Sequence, residues 1–572
     1  QQVDGPIRIE GREPADPTRT QAVAYWARLQ ANRARRGVKN LLGPVRWLDM
    51  DDPASFPHVV AESRTPLWSE TDPRERRLQI GKVQNLRLAA RAIDRVMLPL
   101  GKEFSFWAQV GMPSKYRGYV PGRQIQEGCV VPAIAGGICQ LSNALYDVAL
   151  RAGLEVTERH AHTRSLPRAS WSSGRDATVA WNHVDLRLRA PFVAMLRARL
   201  TSDELVVQVL AQTPVNVVSA TTNDEAQVEC ESCETCGMSN CWRHKAFDHS
   251  HTGTTNAWLV DQVLPEFAEY LSAQGCDALF LPMKGRPRYA WPLGAARHTY
   301  DEKWFALRRS RVSRRLAEQG AARQTELILL DWGLAFRYAG RLRFDATHLV
   351  VAQTLLPYLW AMGALGGRTY DVLMVRRPIR AIHKALDDAH ARHPERKLLV
   401  DFRATEEHVR IEEEALDGAS RIITPHPLVA RSFGSKALLL DWRLPEKKGI
   451  ERGDNIVFCG PTVARKGAYE LRDAVRQLGF PLRYCGSLLE GSDFWNGIDA
   501  KPAEGGWLSG ANVVVQPSVL EDQPRKLLRA IAEGVPVIAT ESCGVSHLPG
   551  VITVPVGDVD ALRDAIRNAC RS

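Results

Sequence analysis

Cys139 is the residue best placed for chemistry. It follows Gly136-Gly137-Ile138 and opens ICQLSNALYDVALRA, whose apolar spacing predicts a helix over 138–152, stopped by Gly153. Free N–H groups and the helix dipole in a first turn stabilise a thiolate and lower its pKa. Downstream come His160, His162 and Asp176, giving the order Cys, His, Asp. A thiol nucleophile needs a base within hydrogen-bond reach, and that base needs an orienting partner. Gln140 could donate to an oxyanion, and Arg123, Arg164 and Arg175 could hold an anionic substrate. The glycines would let a substrate approach the backbone closely. The competing reading makes Cys139 a small core residue, the histidines structural and the arginines solvated surface groups.

A second cluster offers metal ligands. Residues 230–251 read CESCETCGMSNCWRHKAFDHSH, so four of the eleven cysteines fall within this short run. Cys233, Cys236, Cys241 and His244 would suit tetrahedral zinc, because two-residue gaps let two sulfurs grip one ion from a tight turn. Cys230, Cys233, Cys236 and Cys241 would suit zinc or an iron–sulfur cluster. Both alternatives stay open, beside disulfides or free thiols. The clustering speaks for a reducing compartment with a metal site rather than a disulfide framework.

The elements that must position these groups differ along the chain. At 572 residues, three to four domains are expected. Residues 1–75 read as a polar extension with one helix around 22–36. Gln79–Leu98 has helical spacing and would stop at Pro99 and Gly101. Residues 100–135 read as strands and loops, and 177–211 alternate as three strands of an antiparallel meander. The helix and meander make 76–219 an α+β domain, and 220–256 the Cys/His-rich segment. From 257 short apolar strands alternate with helices: CDALFLP, TELILLD, THLVVA, DVLMVR, KLLVDF and SRIITP. A second alternation follows in NIVFCG, LRYCG, ANVVVQP, VPVIAT and VITVP. This is the pattern of two doubly wound α/β domains, expected at 257–445 and 446–572. The formal charge is +10, with Arg-rich runs such as RRSRVSRR at 308–315. Without a nucleic-acid motif that charge reads as solvated helix faces, compatible with a phosphorylated substrate. Peripheral membrane contact is left open. No apolar run reaches membrane-spanning length and no leader is visible, so a cytoplasmic protein is expected.

The segments GKEFSFWAQVG, RGYVPGRQIQEG, GGICQLSNALYDVALRAGLEVTERHAHTR and GRDATVAWNHVDLRLRA closely resemble the VanW family over about residues 100–190. The Gly run before Cys139 is shorter than the family's, and Ala190 stands where the family closes on Asn. The order of helical Cys, His and alternating strand is also similar to the transglutaminase and papain-like thiol fold. The VanW resemblance implies a link to glycopeptide resistance and envelope proteins but names no reaction.

The stretch FCGPTVARKGAYELRDAV, LRYCGS and LSGANVVVQPSVLEDQPRKLLRAIAEGVPVIATESCGVSHLPG resembles retaining glycosyltransferases of the GT-B fold. That resemblance implies two Rossmann-like halves, with 257–445 binding the acceptor and the later half binding a nucleotide-sugar. It implies that Lys466 binds the donor diphosphate beside Gly460 and Arg465, and that Glu521 is the first carboxylate of a paired-glutamate motif. A lysine there would offset charge developing on the leaving diphosphate. The family's second glutamate falls on Arg529, and its arginine after the first glycine is replaced by Pro461-Thr462. Arg525 and Lys526 are candidates to supply the lost cationic contacts.

Three functions follow as expectations. The leading one is transfer of a sugar from a nucleotide-sugar to a small-molecule or cell-envelope precursor that the VanW-like domain modifies or holds. The second is thiol-dependent acyl or amide transfer by Cys139. The third is a metal-stabilised binding scaffold that keeps a degenerate GT-B fold without turnover.

Overall fold

The computed structural model describes residues 19–42, 47–69, 75–126, 129–162, 164–165, 175–216, 228–229, 231–232, 255–316, 320–401, 403–503 and 506–571. The metal candidates Cys230, Cys233, Cys236, Cys241 and His244 lie outside the described residues. The chain divides into two compact units. One runs to residue 254 and includes 343–347 and 363–368; the other holds the rest.

The first unit is α+β. Its main sheet is antiparallel, in the order His58–Pro66, Glu204–Ala211, Ala194–Leu200, Val96–Leu98. The central hairpin turns at Thr201, whose hydroxyl accepts from the Glu204 and Asp203 N–H groups. Two helices bury their apolar faces on this sheet. Arg76–Ile93 contributes Leu86, Ala89, Ala90 and Ile93, and Cys139–Arg151 contributes Leu141, Ala144, Leu145 and Val148. Each set recurs at three- and four-residue spacing, one stripe of a helix. Burial of a leucine at such a site stabilises by about 2 kcal/mol. A smaller sheet orders Glu103–Ser105, Arg187–Arg189, Glu155–Glu158, and a hairpin joins Pro121–Gln126 to Cys129–Ile134.

Three expectations change here. The helix placed at 79–98 ends at Ile93, because Arg95 adopts a positive φ of 71° and Val96–Leu98 becomes a strand against Ala194–Leu200. Of the three meander strands, Arg187–Arg189 joins the smaller sheet, leaving a two-strand hairpin. His58–Pro66, read as part of a polar extension, is the edge strand of the main sheet.

The second unit holds two parallel sheets. The seven-stranded one runs Ala296–Asp301, Cys276–Leu281, Thr255–Leu259, Ala346–Ala352, Thr369–Leu373, Arg421–Thr424, Ala437–Leu439. The six-stranded one runs Ala500–Pro502, Leu482–Tyr484, Arg452–Phe458, Ala511–Gln516, Val537–Thr540, Val551–Val554. Counted within each sheet, both begin 3-2-1-4-5-6, the doubly wound order. Val513, Val514, Val515, Val537 and Ile538 are all buried, as expected of strands covered on both faces. TELILLD is not a strand: it lies in the helix Gly320–Arg341, where Leu330, Leu334, Ala335 and Tyr338 are buried at helical spacing. KLLVDF forms only a short helical turn, Lys397–Leu399, next to Arg396, whose guanidinium pairs with Glu470.

Candidate functional site

Cys139 is the first residue of its helix, and the helix itself fixes what lies opposite. Ser142 donates to the Ala177 carbonyl, and Asn143 accepts from the Ala177 N–H at 2.7 Å. Both backbone groups of Ala177 are thus gripped, which sets Asp176 beside the helix start. The Thr178 N–H bonds to the His160 carbonyl at 2.7 Å and draws the histidine segment alongside. Buried Asp176 then holds His162 twice. One carboxylate oxygen accepts the His162 backbone N–H, and the other lies 2.6 Å from Nδ1 of the ring. The Cys139 thiol is electrostatically coupled to the His162 ring. Sγ also lies 3.7 Å from the Thr178 hydroxyl and 3.8 Å from the Val179 carbonyl.

The electrostatics follow from this chain. Burial alone would raise the Cys139 pKa, but the bond to His162, its charge and the contacts to Val179 and Thr178 bring it below the ordinary thiol value. Burial opposes protonation of His162, yet Asp176 and Cys139 raise its pKa to about 10. The site therefore favours a thiolate–imidazolium pair oriented by a carboxylate, the arrangement nucleophilic thiol catalysis requires.

The remaining candidates of this unit take other places. His160 is half-exposed beside Glu158, at 3.5 Å, and is not brought to Cys139. Gln140 spends both amide hydrogens on the Thr65 hydroxyl and the Pro66 carbonyl, each at 2.9 Å, so it ties the helix to the edge strand instead of facing an oxyanion. Arg123 pairs with buried Glu75, and Arg175 pairs with Asp147, both at 3.5 Å. The Arg164 side chain lies outside the described residues. The glycines serve packing. A Cβ on Gly136 would lie 2.3 Å from the Gly122 carbonyl oxygen, and one on Gly137 would strike Lys82. The sequence reading missed Ser142, Asn143 and Thr178. The short polar side chains of Ser142 and Asn143, three and four residues after the thiol, were the available signal, and Thr178 carried none.

A second site forms in the six-stranded sheet. Its strand order reverses between Arg452–Phe458 and Ala511–Gln516, and ligands of doubly wound sheets bind outside the strand ends at such a point. Gly460 follows the first of these strands, and a Cβ there would come within 2.9 Å of the Gln516 amide. Gly467, at φ 78°, ends the turn Ala464–Lys466 and starts the helix Ala468–Val475. The Arg465 carbonyl accepts from the Val519 and Leu520 N–H groups, joining this turn to the loop after the second strand. Lys466 Nζ then reaches the Leu520 carbonyl at 2.9 Å and Glu521 at 2.7 Å. Lys526 donates to the Cys459 carbonyl at 2.8 Å. Burial lowers the Arg465 pKa.

Arg525 and Arg529 are both engaged in ion pairs. Arg525 forms a two-pronged ion pair with buried Glu266 of the preceding α/β half, with one contact at 2.9 Å, and also covers Trp442. Both terminal nitrogens of its guanidinium are engaged there, which ties Arg525 to the preceding half. Arg529 pairs with Glu533 and the Glu446 carbonyl, while Glu533 accepts from the Lys448 and Gly449 N–H groups. The second-glutamate position is thus used to fasten the segment joining the two halves. Buried His426, which the sequence reading did not single out, lies 3.2 Å from the Glu521 carbonyl through Nε2.

Comparison with known proteins agrees with this division. Residues 81–210 match the family model described as VanW like protein, and residues 491–572 match that described as Glycosyl transferases group 1. The chain carries a VanW-like domain and a glycosyltransferase group 1 domain, with Glu521 inside the latter match and Lys466 before it. The uncharacterized protein YoaR of Bacillus subtilis is 34% identical over 134 residues, covering 23% of this chain and 44% of that protein. The Vancomycin B-type resistance protein VanW of Enterococcus faecalis is 30% identical over 138 residues, covering 24% of this chain and 50% of that protein. The chain spans about half the length of these curated relatives. Among solved structures, a sucrose-phosphate synthase from Thermosynechococcus elongatus is 17% identical with a TM-score of 0.34, over 55% of this chain and 90% of that one.

Proposed function

We propose that the second unit transfers a sugar from a nucleotide-sugar donor, with retention of configuration, to a small-molecule or envelope-precursor acceptor that the VanW-like domain modifies or holds. The observation that carries this reading is the Lys466–Glu521 pair at the point where the strand order reverses. A diphosphate entering there meets an ammonium group already oriented by a carboxylate and a carbonyl. Its charge grows on leaving, and Lys466 offsets that growth. Glu521 is then free to accept from sugar hydroxyls. A cytoplasmic setting, where nucleotide-sugars are made, belongs to the same reading. Turnover of a panel of nucleotide-sugars by the full chain tests it. Lys466→Ala is expected to lower kcat/KM by roughly 10²-fold. Full turnover by that variant would remove Lys466 from the mechanism.

A second activity is supported by the Cys139–His162–Asp176 geometry. In this reading the thiolate attacks an acyl carbonyl, and His162 gives its proton to the departing amine. The acyl group is then held as a thioester. An acceptor nucleophile attacks it, loses its proton to His162 and frees the thiol. Iodoacetamide labelling followed by peptide mapping tests the nucleophile. Cys139 is expected to react faster at neutral pH than the other accessible cysteines, and His162→Ala to slow it to an ordinary thiol rate. Equal rates in both proteins would count against the activated thiol.

A further inference from the structure

We propose that the helix pair Lys303–Arg315 and Gly320–Arg341 docks the second unit on an anionic lipid surface. This inference does not depend on either catalytic reading. On the first helix Trp304 is 78% exposed and Leu307 is 40% exposed, three residues apart. On the second, Leu329, Trp332 and Phe336 are exposed at 58%, 50% and 50%, spaced three and four residues apart. Each set is therefore one stripe of its helix. The two helices pack on each other, and the stripes flank a shared contact. Phe305 seats against Gly333, where an added Cβ would come within 2.6 Å of the ring. Trp332 and Phe336 stack on one another with centroids 5.7 Å apart and the rings near parallel. Two exposed rings thus cover each other while their outer faces meet solvent, at a cost that burial in a partner phase would remove.

The charge says which phase. The first helix, KWFALRRSRVSRR, contains no acidic residue. Exposed Arg308, Arg311 and Arg315 continue the line of Trp304 and Leu307 along the same face, and no ion pair to them is formed among the described residues. Two of the neighbouring carboxylates are engaged with other arginines. Glu302 pairs with Arg337 and Arg341, and Asp331 pairs with Arg309. Tryptophan, phenylalanine and leucine beside arginines on helices lying along a surface fit the boundary between acyl chains and anionic headgroups. A second copy of the chain would present the same arginines and repel them.

Co-sedimentation of the full chain with phosphatidylcholine vesicles, with and without phosphatidylglycerol, tests this. Binding is expected only to the anionic vesicles and should weaken with salt. Trp304→Ser with Trp332→Ser should abolish it. Arg311→Ala with Arg315→Ala should weaken it about fivefold per arginine. All four side chains are exposed, so the variants should melt as the parent does, which keeps the comparison on docking. Absence of binding to anionic vesicles would overturn the proposal, as would unchanged binding by both variants. A lipid-free dimer that Trp332→Ser dissociates would also overturn it, assigning the patch to a second copy.

Discussion

His162 is held through its backbone N–H and through its ring by one buried carboxylate, and this sets the behaviour of the thiol beside it. Its pKa stands near 10 in the folded protein, against about 6.5 for an unstructured histidine. A group raised in this way contributes stability that is fully present below about 6.5 and is lost as pH rises through about 10. Between those values the unfolded histidine has released its proton and the folded one has not, so the contribution of His162 falls as pH rises, offset in part by Cys139, whose proton leaves earlier in the folded state. The denaturant midpoint is expected to decline over that window, and His162→Ala should flatten the decline. A slope unchanged by the substitution would show that His162 is not the proton involved. At this scale the residue types and their order were legible, because a thiol, a base and a carboxylate are read directly as letters. It did not separate His160 from His162. That choice rests on the backbone bond from Thr178 to His160, which turns the next histidine toward Asp176.

Elements place these residues through close backbone approaches more than through side-chain bulk. Gly136 lies against the strand Pro121–Gln126, and its missing side chain is what lets the turn before Cys139 touch Gly122. Gly136→Ala would force a methyl group onto a carbonyl oxygen 2.3 Å away, with backbone on both sides and nothing flexible to yield. The expected cost is about 1–3 kcal/mol, read from denaturant unfolding, together with slower alkylation of Cys139 as the helix start shifts. Unaltered stability would mean that the strand can move aside. The glycine pair was legible in the sequence, but its purpose was not, since packing on a strand and opening for a substrate use the same residue. The periodic segments divide in a similar way. Cys139–Arg151 was legible because its apolar spacing is unbroken. TELILLD was not, because four apolar residues in a row satisfy both a buried strand and one face of a long helix. Val96–Leu98 was lost in the other direction, since a short strand directly after a helix prolongs its apolar pattern.

Across the second unit, the alternation of strands and helices announced two doubly wound sheets, and the structure contains both in the same order. What fastens the halves was hidden. Arg525 and Glu266 stand 259 positions apart, and neither carries a local signal of its partner. The pair also decides between two roles for Arg525. As a donor clamp, its loss would lower nucleotide-sugar turnover and leave stability intact. As a fastener between the halves, its loss would strand a fully buried carboxylate that, among the described residues, keeps the Arg443 backbone N–H at 2.7 Å. The second outcome is expected: Arg525→Ala should destabilise the protein by about 3–5 kcal/mol, the usual penalty for breaking one side of a buried ion pair. Adding Glu266→Ala should recover part of that loss, because it removes the unpaired charge. Unfolding midpoints of both single variants and the double variant measure the coupling. Simple addition of the two losses would show that the residues do not act as a pair and would return Arg525 to the donor site. Recovery in the double variant would leave Lys466, with Lys526 beside it, as the cation able to meet a diphosphate where the strand order reverses.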